Sequence, residues 1–144
     1  MFLITGHVGN PDYKGLALSS WDEIKTMASS GLATVGMHTH NLHFLEQNGS
    51  APFLNPDNID VFAADLNLSM AALEKELGYK PGYFSYPYGF GIPETDDLLM
   101  SAGIRLIFSS RAGIVQREDP SFFIKRVSVN SKTWPAVARW AKQH

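Results

Sequence analysis

The stretch Leu18–His40, "LSSWDEIKTMASSGLATVGMHTH", decides the fold. Its first half predicts a helix: Ser20 can cap it, Glu23 three residues on completes a capping box, and Gly31 stops it. "LATVGM" (32–37) then reads as a short buried strand, and a polar run rich in histidine begins where that strand ends. A helix feeding a strand is half of a repeating βα unit. In folds built from such units, functional sites sit at the C-terminal ends of the strands.

The rest of the chain extends the same alternation. "FLIT" (2–5) reads as a fully buried strand that breaks on Gly6. "PDNIDVFAADLNLSMAALEKELG" (56–78) predicts the longest helix, from a cap near Asp57 to a stop at Gly78, with Val61, Leu68, Ala72 and Leu73 at helical spacing. "GYFSYPYGFG" (82–91) gives a strand ending in a Pro/Gly turn, and "PETDDLLMSAG" (93–103) a short helix with acidic residues in its first turn, as the helix dipole favours. "IRLIFSS" (104–110) and "FFIKRVSVN" (122–130) are strands, and "KTWPAVARWAKQ" (132–143) is a last helix with Pro135 in its first turn. Strands alternating with helices mean one α/β domain over residues 1–144 with a largely parallel sheet. A buried strand at the very start of the sequence also expects sheet neighbours supplied from upstream.

Composition narrows the function classes. The sequence has 144 residues, 44% of them hydrophobic, and a net charge of −2, which suits one core and gives no electrostatic reason to expect nucleic acid or an anionic membrane as partner. The absence of cysteine excludes disulfides and thiolate metal sites and leaves the compartment open. "MFLITGHVG" is too short and too soon interrupted to be a signal peptide, and no run spans a membrane. As written, the sequence is expected to be soluble and to carry no export address.

"GMHTHNLHF" (36–44) packs His38, His40 and His43 into six positions. On a helix, His38 and His43 would lie roughly 140° apart, so one face cannot offer both, whereas a loop leaving a strand can converge them. His40 with His43 suits one helical turn, and His38 with His40 suits a strand. Spacing alone leaves all three pairings open. Histidines this close favour a metal site over a polar loop.

"GMHTHNLH" resembles the second motif of the polysaccharide deacetylases (the NodB-homology family), and its five-residue separation is similar to that of the biofilm poly-N-acetylglucosamine deacetylases. The resemblance implies His38 and His43 as ligands of a divalent metal, zinc first and cobalt, nickel or iron as alternatives, with His40 at a variable position. "YFSYPYGFG" resembles the third motif, with Pro87, Tyr88 and Gly89 intact and Phe84 where many members carry Arg. This implies Tyr86, Pro87 and Tyr88 as substrate-binding residues and the backbone N–H of Tyr88 as donor to the oxyanion. The residues alone are equally consistent with a simple strand-to-helix turn. "FLITGHVG" resembles the strand that follows the family's aspartate motif. The implied fold is a distorted, incomplete (β/α) barrel.

The family's Thr-Phe-Asp-Asp-Gly motif is expected roughly one βα unit upstream of "FLITGHVG", at least about a dozen residues away, and does not occur in the 144 residues. The resemblance therefore implies an N-terminally truncated domain without the general base, the third metal ligand and the general-acid histidine of the biofilm subgroup. Asp96-Asp97, the only aspartate pair, falls in the first turn of a helix, where acidic residues have an ordinary structural role. His7 and His144 are free candidates for the acid, but neither lies in a motif. The expected function is metal-dependent N-deacetylation of an N-acetylglucosamine polysaccharide, with this chain impaired or inactive alone. The alternative is a non-catalytic carbohydrate-binding or interaction module that retains the groove. A sheet edge left open by the missing strand adds self-association as an expectation.

Overall fold

The alternation read from the sequence is realised in the computed structural model, which describes residues 1–143; His144 lies outside the described residues. Strands β1 (Phe2–Leu3), β2 (Gly36–Met37), β3 (Tyr83–Ser85), β4 (Leu106–Ala112) and β5 (Ile124–Arg126) form one sheet. Every neighbouring pair is parallel, and the strands follow one another across the sheet in chain order. Helices α1 (Trp21–Ser29), α2 (Ile59–Leu77) and α3 (Pro93–Ser101) make the first three crossovers, and α4 (Trp134–Gln143) follows β5.

A sheet wound in one direction, with its helices on one face, curls toward the other face, as a barrel does. The curl is visible here: the ring of Phe2 on β1 reaches that of Phe108 on β4, 5.2 Å away, across two intervening strands. Gly36 makes room for it, since a Cβ there would lie 2.7 Å from the Phe2 ring. The architecture is thus the expected α/β one, an open arc of a (β/α) barrel.

Period-two alternation assigns the residues to the two faces. Val35, Met37, Phe84, Tyr86 and Ile107 pack in one buried cluster with Ile24 of α1, Phe62, Leu66 and Leu73 of α2, and Leu99 of α3. The helix boundaries follow local chemistry. Ser20 Oγ accepts from the Glu23 N–H while Glu23 Oε2 accepts from the Ser20 N–H, which closes the capping box on α1. Gly78 ends α2 in the left-handed region at φ 77°.

Three local expectations differ from the structure. Only Gly36–Met37 of the run 32–37 is paired as strand, and Leu32 is exposed. Phe2, Leu3 and Ile4 are half-buried, not fully buried, because among the described residues β1 has a neighbour on one side only. On α2, Val61 and Leu68 point outward, 52% and 55% exposed. Leu73 is buried as expected, on a stripe with Phe62, Asp65, Leu66 and Ser69. Two polar residues interrupt it and both are met by partners: Asp65 by N–H groups of the histidine loop, and Ser69 by the Thr5 hydroxyl from the segment after β1.

No helix among the described residues is long and apolar enough to cross a membrane. The corrected face of α2 gives a direct test by urea unfolding. Phe62→Ala should cost about 3–5 kcal/mol through lost burial and a cavity, whereas Leu68→Ala should stay within about 0.5 kcal/mol. Comparable losses for the two variants would show the face to be wrongly assigned.

Candidate functional site

His38 is the first residue beyond β2, and its strand neighbour β3 ends at Ser85. The parallel pairing brings the His38 ring onto the Ser85 carbonyl, at 2.6 Å from Nδ1. A carbonyl only accepts, so Nδ1 carries the proton and the lone pair lies on Nε2. The His43 ring comes to 5.0 Å from that of His38. Burial lowers the pKa of His38; the Ser85 carbonyl opposes this, while His43 and Arg126 add to it. Burial also lowers His43, with the positive charge of Lys14 acting in the same direction. Both imidazoles therefore favour the neutral form, the one that binds a metal.

The loop between them is held from several sides. His40 turns away from the pair: its Nδ1 lies 2.9 Å from Thr5 Oγ1, which also donates to Ser69 Oγ on α2 at 3.1 Å. The N–H groups of His40 and Asn41 donate to Asp65 Oδ2 and Oδ1 at 2.6 and 2.7 Å. Between these anchors Thr39 sits at φ 72°, fully buried, with no partner for its Oγ1. A β-branched residue in that region carries strain of about 1–3 kcal/mol. At the far end, Tyr13 Oη and Lys14 Nζ both donate to the His43 carbonyl, at 3.3 and 3.2 Å, and the Tyr13 hydroxyl lies 3.4 Å from His43 Nδ1.

The Pro/Gly turn supplies the second wall. Pro87 keeps Tyr86 extended (φ −66°, ψ 131°), and Tyr88 then takes φ 60°. This lays the Tyr88 ring against His43, with centroids 5.1 Å apart and planes 28° from parallel, while leaving it 42% exposed. Gly89 follows at φ 91°, and a Cβ there would lie 2.0 Å from Ser110 Oγ, so only glycine fits.

Tyr86 and Pro87, expected to touch substrate, are both buried. Tyr86, 1% exposed, lies on the same face of β3 as Phe84 and packs among Phe53, Phe62 and Phe84. Its hydroxyl donates to Asp96 Oδ1 at 2.7 Å and lies 2.8 Å from Thr95 Oγ1. Burial raises the pKa of both the Tyr86 hydroxyl and the Asp96 carboxyl. These two residues anchor the turn; Tyr88 alone of the three faces the site.

Two imidazoles whose pKa burial lowers, one with its Nδ1 held by a backbone carbonyl, fit part of a divalent-metal shell. Among the described residues, no group of three or more His, Cys, Asp or Glu converges to complete it. His7, a candidate acid, stacks on Tyr13 at 4.3 Å. Tyr13, Lys14 and Asp65 are site residues that sequence reasoning missed. Only Asp65 carried a signal, a carboxylate on the buried stripe of a helix.

Comparison with known proteins gives this geometry a context. The family described as polysaccharide deacetylase matches residues 1–107. The poly-β-1,6-N-acetyl-D-glucosamine N-deacetylase of Staphylococcus aureus is 28% identical over 144 residues, covering 99% of this chain and 49% of its own. That of Staphylococcus epidermidis is 26% identical over 138 residues, covering 96% and 47%. The chain thus spans about half the length of the curated relatives it matches. Among solved structures, IcaB from Ammonifex degensii is similar with TM-score 0.89 and 42% identity, over 98% of this chain and 60% of that one. A de-N-acetylase from Aggregatibacter actinomycetemcomitans shares the fold, with TM-score 0.74 at 20% identity over 95% of this chain and 62% of the other.

The depressed histidines set a pH dependence whose sign follows from proton counts. Below about 6.5 the unfolded chain protonates His38 and His43, while the folded chain holds them neutral to lower pH. Their contribution is whole above about 6.5 and is lost as pH falls. The thermal midpoint should therefore drop between pH 7.5 and 5.5, and His38→Gln should flatten the slope. An unchanged slope in that variant would contradict the burial argument.

Proposed function

The chain belongs to the polysaccharide deacetylase family, and from that premise we propose that it is the histidine-bearing part of a metal-dependent N-deacetylase acting on a poly-β-1,6-N-acetylglucosamine polymer. The observation that carries the reading is the His38–His43 pair, its rings 5.0 Å apart beyond the C-terminal end of β2, where burial lowers the pKa of both. The substrate class is taken from the names of the Staphylococcus relatives. His38 Nε2 and the His43 ring would hold the ion, zinc first and cobalt, nickel or iron as alternatives, with remaining positions left to water or to groups outside the pair. A bound divalent ion supplies a polarised amide carbonyl and a water of lowered pKa.

The chain's own residues do the positioning. The Ser85 carbonyl holds the His38 proton at Nδ1 and so keeps Nε2 free. The Tyr88 N–H serves as a donor to the tetrahedral oxyanion, on a turn fixed by Pro87, the fit of Gly89 against Ser110, and the buried Tyr86–Asp96 contact. The exposed Tyr88 ring offers an apolar face to a sugar. No carboxylate joins the pair in a metal-holding group among the described residues, and none of them is assigned the proton of an attacking water. General-base assistance contributes about two to four orders of magnitude, and the 144 residues alone should turn over slowly. The second reading, a non-catalytic carbohydrate-binding or interaction module that retains the groove, rests on the same histidines and turn, with the exposed Tyr88 ring as its sugar-facing surface. The free edge of β1 would serve self-association, for which a concentration-dependent sedimentation coefficient is the test.

Two experiments decide between these readings. In a calorimetric zinc titration, wild type should bind weakly and His43→Ala markedly less; equal uptake by both would remove the ligand assignment. Acetate release from a β-1,6-N-acetylglucosamine oligomer at saturating zinc, cobalt or nickel should be near background for the chain alone. It should rise when a segment bearing the Asp-Asp-Gly motif is fused at the N-terminus, and vanish again with His38→Ala in that fusion. Turnover by the unfused chain equal to that of a full-length relative would overturn the impairment. Oligomer binding without any acetate release from the fusion would establish the binding-module reading.

A further inference from the structure

The loop that carries His38 and His43 contains an unfavourable conformation and, directly beside it, a buried anion. Thr39 lies in the left-handed region with its hydroxyl unpartnered and no exposure. The two N–H groups that follow it converge on the two oxygens of one carboxylate, Asp65, at 2.6 and 2.7 Å. Successive N–H groups turned inward in this way form a concavity that attracts an anion, and here the protein supplies its own from α2. Charge-assisted bonds of this length are among the stronger ones available to a backbone.

The other supports of the loop act on different groups: the Ser85 carbonyl on the His38 ring, and Tyr13 and Lys14 on the His43 carbonyl. The Thr5 N–H donates to the Thr39 carbonyl at 3.2 Å, and the Gly6 N–H to the His40 carbonyl at 3.0 Å. Both come from the segment after β1 and hold carbonyls, leaving the N–H groups to Asp65. A carboxylate placed on the apolar stripe of α2, between Phe62 and Leu66, has no packing reason to be there. Its two acceptors are matched by two donors in the metal loop.

We propose that Asp65 is a positioning residue: by accepting both N–H groups it holds Thr39 in its strained turn and thereby sets the His38–His43 geometry for metal binding. The metal half of the proposal rests on the reading given under Proposed function; the positioning half does not. Without the carboxylate, Thr39 relaxes to negative φ, and the segment running on to His43 rotates away from His38.

The test has metal-free and metal-bound arms. In wild type, the His40 and Asn41 amide protons should be shifted downfield and exchange slowly, and the His38 and His43 ring protons should show a cross-relaxation peak. Fast exchange of both amides in wild type would overturn the proposal without any variant. In Asp65→Asn, with the helical circular dichroism retained, both signatures should be lost and zinc affinity should fall about 10- to 100-fold, the range seen when supports of metal ligands are removed. Adding Thr39→Gly, which takes the left-handed region freely, should restore zinc affinity most of the way. Restoration is expected of a clamp and not of a carboxylate that merely attracts cations from a distance. Retained ring contact and unchanged zinc affinity in Asp65→Asn would overturn the proposal, as would failure of Thr39→Gly to restore affinity. If wild type takes up no zinc, the metal reading falls, and the amide and ring signals alone judge the clamp.

Discussion

The site depends on the parallel pairing of β2 with β3. Because Met37 lies opposite Phe84, the chain leaves β2 one residue later with His38 beside the end of β3, and the Ser85 carbonyl meets its ring. One register therefore fixes both the position of the imidazole and the nitrogen that bears its proton. A slip of one residue would exchange the faces of β2, turning Met37 out of the core and His38 into it. The burial of Met37, Phe84 and Ile107 against the helices thus enforces the geometry of a polar site on the strand ends.

The same economy governs the Pro/Gly turn. Tyr86 continues the buried parity of Phe84, and its hydroxyl would be an unpaired polar group in the core if Thr95 and Asp96 of α3 did not meet it. That contact ties the start of α3 to the end of β3. Pro87, the left-handed Tyr88 and Gly89 then have little freedom, and the Tyr88 ring lands on His43. The exposed part of the turn is rigid because its first residue is buried.

Much of this was legible in the sequence. The Ser20–Glu23 capping box, the Gly78 stop and the order of strands and helices each rest on local chemistry, and all appear in the structure. The buried face of α2 is less legible, because Val61 and Leu68 carry apolar spacing yet face solvent, while Asp65 and Ser69 interrupt the stripe that holds Leu73. Tyr86 belongs to the motif stretch, and in the structure it shares the buried parity of Phe84. Of the three histidine pairings left open by spacing, the structure brings His38 and His43 together and gives His40 to Thr5. That choice depends on Thr5 and Asp65, 35 and 25 positions away from His40, and on Ser69, which meets Thr5; no local pattern encodes it.

Asp65 also shows why a fold accepts a charge in its interior. Desolvating a carboxylate costs several kcal/mol, and two short bonds to backbone N–H groups offset that cost without much surplus. An apolar residue on the stripe between Phe62 and Leu66 would need no such partners to sit in the core. What an apolar residue cannot do is hold two consecutive N–H groups turned inward next to a left-handed threonine. The buried charge is better understood as fixing one loop conformation out of several, with the strain at Thr39 as the measure of how far that conformation lies from what the loop would adopt unaided.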